Sequence, residues 1–176
     1  GQTTQKITYQ ELYAEVAKLA HALRNCGVQV GDRVTGFMPN MPQTVIAMLA
    51  AASIGAIWSS CSPDFGSNGV LDRFGQIQPK VLFTANGYYY NGKAVDCLAR
   101  LSEILQELPS VQQVVVVSYS VHRPQISHIP RASHYEDFIG KNSPPALEFA
   151  QLPFDHPLYI MYSSGTTGLP KCMVQS

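Results

Sequence analysis

The sequence predicts an α/β fold: a three-layer parallel sheet with helices on both faces. Three observations carry this. Segments with apolar residues at helical spacing alternate with short β-branched runs, the pattern of βαβ units joined by right-handed crossovers. The run "QQVVVVSYS" (112–120) is continuously apolar at its centre, as a strand covered on both faces should be. The apolar run "PLYIMY" (157–162) leads into a loop rich in glycine and hydroxyl groups. In open parallel sheets ligands gather at such places, beyond the carboxyl ends of strands.

Each element has its own signal. In "ITYQELYAEVAKLAHALRNCG" Thr8 and Glu11 stand as a capping box. Leu12, Val16, Leu19, Ala20 and Leu23 then recur at helical spacing, and Gly27 supplies a left-handed stop. His21 falls inside this helix and reads as a surface residue. A Gly31–Asp32 turn precedes a strand from Arg33 to about Met38. Pro42 opens a second helix, running to Gly55, apolar on nearly every side and so expected to be buried on more than one face. "AIWSSCS" is the next strand. Asn68 or Ser67 caps a third helix, "GVLDRFGQI", and "KVLFTA" is a strand entered after Pro79. "AVDCLARLSEILQEL" places Val95, Leu98, Leu101, Ile104, Leu105 and Leu108 on one face of a fourth helix. Between Val121 and Asp155 the signal weakens, and only "HYEDFIG" reads as a short helix.

Composition excludes several function classes. With 176 residues, 45% hydrophobic and 14% charged, the chain is long and apolar enough for one domain with a sizeable core. Twelve basic residues balance twelve acidic ones, so no positive field exists to hold nucleic acid or an anionic membrane. The longest apolar stretch, Val45 to Trp58, is too short to span a bilayer, and "GQTTQK" has no signal-peptide core. The four cysteines show no metal-ligand spacing and no CxxC, which points to unpaired thiols in a reducing cytoplasm.

The chemistry concentrates in "MYSSGTTGLPK", Met161 to Lys171. Gly165 and Gly168 allow close backbone approach, Ser163, Ser164, Thr166 and Thr167 can donate to phosphate oxygens, and Lys171 adds a point charge. A Walker loop is excluded: the glycines are three apart, and Lys171 is followed by Cys172 rather than Ser or Thr. Composition alone is also that of an ordinary surface turn; the order of the residues argues against it.

That order resembles the nucleotide-phosphate loop of the adenylate-forming enzymes, the superfamily of acyl-CoA synthetases, luciferases and peptide-synthetase adenylation domains. "ITYQEL", "GDRVTGFMPN", "AMLAAASIGAIWSSCSPDFG" and "GVLDRFGQIQPKVLF" read collinearly with its acetoacetyl-CoA synthetase branch, and the likeness runs from Ile7 to Val174. The resemblance implies the large N-terminal domain of a ligase that uses ATP, Mg²⁺ and coenzyme A. Acetoacetate would become an acyl-adenylate with release of pyrophosphate, and the coenzyme A thiol would then displace AMP. An acetyl or other short-chain acid is the alternative substrate. A non-catalytic nucleotide- or coenzyme A-binding module is the alternative of another class.

By the same resemblance, Ser163, Ser164, Gly165, Thr166, Thr167, Gly168 and Lys171 would hold the β- and γ-phosphates. The later motifs for magnesium, AMP and ribose, and the mobile domain with the adenylation lysine, have no counterpart here, so no catalytic residue is assigned. Residues 1–176 are expected to be part of a longer chain and to need its remainder for turnover. Related enzymes meet coenzyme A at a Gly-containing loop after an early strand and at basic residues after the next strand. The matching positions are Phe65 and Gly66 in "SPDFGSN", and Tyr90 and Lys93 in "NGYYYNGK". Lys93 is the single cation there. Tyr90 either stacks on adenine or, with Tyr88 and Tyr89, covers the edge of the sheet.

Overall fold

A computed structural model describes residues 6–141, 145–163 and 168–176. Helix α1 (Tyr9–Asn25) starts at the expected capping box: the Glu11 amide donates to the Thr8 hydroxyl (3.2 Å) and the Thr8 amide to the Glu11 carboxylate (2.7 Å). These bonds hold the Glu11 carboxyl below its usual range. The helix ends before Gly27, whose φ of +88° is the left-handed conformation a stop requires.

Then follow β1 (Arg33–Phe37), α2 (Pro42–Ser53), β2 (Ile57–Cys61), α3 (Ser67–Ile77) and β3 (Val81–Ala85). A hairpin, β4 (Gly87–Tyr90) and β5 (Lys93–Asp96), leads to α4 (Leu98–Gln106) and β6 (Gln113–Val117). The chain continues through β7 (Ala132–His134), α5 (Tyr135–Ile139), β8 (Tyr159–Ser163) and β9 (Lys171–Gln175).

Seven strands form one sheet in the order β7-β6-β3-β1-β2-β8-β9, and all neighbours are parallel except the last pair. The pleat sends alternate residues to opposite faces. Val81, Phe83 and Ala85 meet α1, α2 and α5 in one core, while Leu82, Val114 and Val116 meet α3 and α4 in the other. These are the three layers the alternation predicted. Phe37, Phe74, Phe83, Leu19 and Leu101 are fully buried. Each such side chain contributes about 1.5–3 kcal/mol of transfer free energy.

Four local expectations change. Gly66, not Ser67 or Asn68, is the N-cap of α3, and no side chain caps it. Residues 94–96 are strand rather than helix, because they pair with β4; the Asp96 carboxylate then accepts from the Leu98 amide (2.7 Å) and α4 begins there. Helix α2 buries one face through Ile46, Ala47, Ala50 and Ala51 but leaves Val45 and Met48 exposed. β9 adds an antiparallel strand at the edge of the otherwise parallel sheet.

Candidate functional site

β8 reaches the sheet by pairing with β2, Trp58 beside Tyr159 and Ser59 beside Ile160. The Ser59 hydroxyl donates to the Ile160 carbonyl at 2.8 Å, buried between the two strands. Because β8 runs parallel to β2, β1, β3 and β6, all of these strands deliver their following loops to the same edge. Of the candidate residues described, Phe65 and Gly66 follow β2, Tyr90 and Lys93 follow β3 in the β4–β5 hairpin, and Ser163, Gly168 and Lys171 lie at or beyond the end of β8.

Ser163 is the last residue of β8, and its register partner across the hairpin is Lys171, the first of β9. The mouth of the loop therefore has a hydroxyl on one strand and an ammonium directly opposite. Gly168 has φ +98°, a conformation that favours glycine. Ser164, Gly165, Thr166 and Thr167 lie outside the described residues.

Helix α3 holds both arms of this hairpin. On one arm, the Tyr162 hydroxyl donates to the Arg73 carbonyl (3.1 Å). Burial raises the Tyr162 phenol well above its ordinary range, so it remains a donor. On the other arm, Gln76 Nε2 donates to the Pro170 carbonyl (2.9 Å). A cavity of about 440 Å³ opens at the β2–β8 junction, walled by Met48, Trp58, Phe65, Arg73, Met161 and Tyr162.

Phe65 and Gly66 lie in the β2–α3 connection. A Cβ at Gly66 would meet nothing within 4 Å, so its α-carbon faces open space. Tyr90 and Lys93 face each other across the two-residue turn Asn91–Gly92, whose positive φ values (47° and 76°) are those a mirror-image hairpin turn needs. The stretch expected as a loop is thus a hairpin tip, with Tyr90 61% exposed and Lys93 exposed. No hydrogen bond joins this tip to Phe65 or Gly66 among the described residues. The two segments approach at Tyr88, whose phenol is pushed up by burial and by the Asp64 carboxylate.

Sequence reasoning missed the supports of this site. Asn86, 4% exposed, accepts from the amides of Tyr119 (2.6 Å) and Ser120 (3.1 Å), and its carbonyl accepts from the Cys97 amide (3.2 Å). It joins the ends of β3 and β6 to the start of α4 and so fixes the base of the hairpin. Arg73 and Gln76 carried no signal, because polar residues on a helix ordinarily read as its solvated face. Tyr162 stood inside the quoted motif, but nothing local revealed its partner on α3.

The family model described as "AMP-binding enzyme" matches residues 2–176. The chain belongs to the AMP-binding enzyme family. Among curated relatives, it is 56% identical to the acetoacetyl-CoA synthetase of Gallus gallus over 97% of this chain. It is 48% identical to the acetoacetyl-coenzyme A synthetase of Rhizobium meliloti, also over 97%. The solved structure of acetoacetyl-CoA synthetase from Streptomyces lividans superimposes with a TM-score of 0.89 at 44% identity, covering 98% of this chain. The chain spans 26% of the length of each of these relatives.

Proposed function

We propose that residues 1–176 are part of the adenylation domain of a ligase that joins acetoacetate to coenzyme A through an acyl-adenylate. The observation that carries this is the register of Ser163 with Lys171 at the carboxyl edge of the sheet, in a chain 56% identical to an acetoacetyl-CoA synthetase. In the first step the acetoacetate carboxylate attacks the α-phosphorus of ATP, and pyrophosphate leaves with the bridging oxygen. Ser163, Ser164, Gly165, Thr166, Thr167, Gly168 and Lys171 stabilise the charge that gathers on the departing phosphates. In the second step the coenzyme A sulfur attacks the acyl carbon and AMP leaves. Phe65 and Gly66 line its approach, and Tyr90 and Lys93 meet its nucleotide end.

Mg²⁺ accompanies the nucleotide and shields phosphate charge. Among the described residues no three His, Cys, Asp or Glu side chains converge on a metal position, so no ligand from this chain is assigned to it. Among the described residues no helix is long and apolar enough to cross a membrane. The unpaired cysteines fit a reducing cytoplasm. The remainder of a relative-length chain would supply the acid pocket, the ribose and adenine contacts and the adenylation lysine.

The deciding experiment is ATP–pyrophosphate exchange in the full-length protein that carries this chain, with acetoacetate and acetate compared. Acetoacetate-dependent exchange is the expected result. Exchange with acetate alone, or none with either acid, would overturn the proposal.

A further inference from the structure

We infer that Arg73 is a positioning residue that fixes Phe65 on the coenzyme A approach, so that the thioester step depends on its side chain while adenylate formation does not. This rests on the ligase reading above.

The guanidinium carbon lies 4.1 Å from the Phe65 ring centroid and 5.7 Å from that of Tyr162. Arg73 Nη1 donates to the Gly69 carbonyl, one helical turn back, at 2.8 Å. That bond holds the side chain along α3 rather than out in water. Among the described residues no carboxylate lies within ion-pair distance of Arg73, so the charge acts on the two ring faces. The ring it covers more closely belongs to the β2–α3 connection; the other sits next to Ser163. One side chain therefore spans the two candidate substrate regions at the wall of the 440 Å³ cavity.

The two attachments differ in kind, and this difference makes the inference testable. Phe65 is held by the Arg73 side chain. Tyr162 is held mainly by the Arg73 main-chain carbonyl, which accepts its hydroxyl (3.1 Å), and the far arm of the loop is held by Gln76. A substitution at position 73 releases Phe65 and leaves both tethers of the phosphate hairpin in place.

Gly69 offers a second handle. A Cβ there would stand 3.3 Å from Cβ and Cδ1 of Phe65, close enough to displace the ring by a few tenths of an ångström. Alanine is also the better helix former, so Gly69→Ala moves Phe65 without weakening α3.

The test uses the full-length protein and measures pyrophosphate exchange, thioester formation and thermal stability. In Arg73→Met the KM for coenzyme A should rise about tenfold, the factor that ~1.4 kcal/mol from a lost cation–π contact produces. Exchange should stay within about twofold of the parent, and Arg73→Lys, which keeps a cation, should recover part of the loss. Gly69→Ala should show the same coenzyme A-specific rise at equal or higher melting temperature. If both variants keep the parent KM for coenzyme A, or lose exchange and thioester formation by the same factor, Arg73 does not position Phe65. A parent without acetoacetate-dependent exchange overturns the ligase reading and this inference with it; an active parent with unaffected variants overturns this inference alone.

Discussion

The indole of Trp58 packs against Gly36: a Cβ at position 36 would be 2.8 Å from Cη2 and 2.9 Å from Cζ2 of that ring. Gly36 is the fourth residue of β1 and Trp58 is on the neighbouring strand β2, at the cavity beside β8. Only a residue without a side chain leaves room for the ring. Gly36→Ala should destabilise the chain by about 1–3 kcal/mol, the usual range for overpacking. Trp58 is the single tryptophan, so fluorescence-monitored urea unfolding reads the effect where it arises. An unchanged midpoint and emission maximum would show that the ring moves aside without cost.

The Tyr135 side chain is buried, yet its hydroxyl has no hydrogen-bond partner among the described residues. A buried donor without a partner has lost its water for nothing. Tyr135→Phe removes the hydroxyl and keeps the ring, and should raise stability by about 1 kcal/mol. A lowered melting temperature in the variant would mean that the hydroxyl has a partner in solution.

Burial pushes the Cys61 thiol up to about 12 and the Cys97 thiol up to about 11, from an ordinary 9.0. A raised folded-state value means that the native state keeps protons the open chain releases. This contribution to stability is complete below about pH 9 and is lost as pH rises through about 11 to 12. The melting temperature should therefore fall across that window, and less steeply in a Cys61→Ala, Cys97→Ala double variant. In the folded chain a thiol reagent should reach the exposed Cys172 and not these two. Equal reactivity of all three would contradict their burial.

Lys93 is exposed at the hairpin tip, opposite Tyr90. If it meets a phosphate of coenzyme A, Lys93→Ala removes a charge-assisted hydrogen bond of about 1.5–3 kcal/mol. The KM for coenzyme A in the full-length protein should rise about tenfold to a hundredfold, with pyrophosphate exchange retained. Equal losses in both assays would make Lys93 structural.

The β8–β9 hairpin, proposed above to meet the phosphates, should by itself bind nucleotide poorly. Any hydrogen bonds it offers would have to offset the lost freedom of the ligand, about 4–15 kcal/mol, without the adenine and ribose contacts expected from the rest of a longer protein. Titration of ATP–Mg²⁺ into residues 1–176 should give a dissociation constant of about 1 mM or weaker, with no acetoacetate-dependent exchange. Micromolar binding would mean that this chain holds adenine and ribose contacts of its own.

The layers of the fold were legible because burial dictates periodicity. A strand covered on both faces, such as 114–117, has to be apolar throughout, and a helix against a sheet has to carry a stripe, as α4 does. The capping box of α1 and the glycine after it were equally plain, since both answer needs of the backbone itself. The hairpin is hidden in the sequence although Asn91–Gly92 is a strong turn signal, because exposed tyrosines on one arm and "KAVD" on the other show no apolar alternation. β7 is three residues long, too short for any period. β9 is exposed along its whole length, so no burial pattern marked it. At the site, Ser163, Gly168 and Lys171 could be read from the motif. Their supports on α3 could not, because the contacts join residues about 90 positions apart.

The place of β8 beside β2 also sets an order of assembly. Strands β1 and β3 pair across fewer than fifty residues, Val34 with Val81, whereas Ser59 and Ile160 are 101 residues apart. Distant pairings are rewarded only after the intervening chain has been closed into a loop, so they form late. On the ribosome the outer edge of β2 stands bare until residues 159–163 emerge. For that interval the nascent sheet presents an unpaired edge, the feature that invites association with other chains. The strand that ends the vulnerable interval is the one that carries Ser163, so protection from aggregation and completion of the hairpin's mouth arrive in the same event.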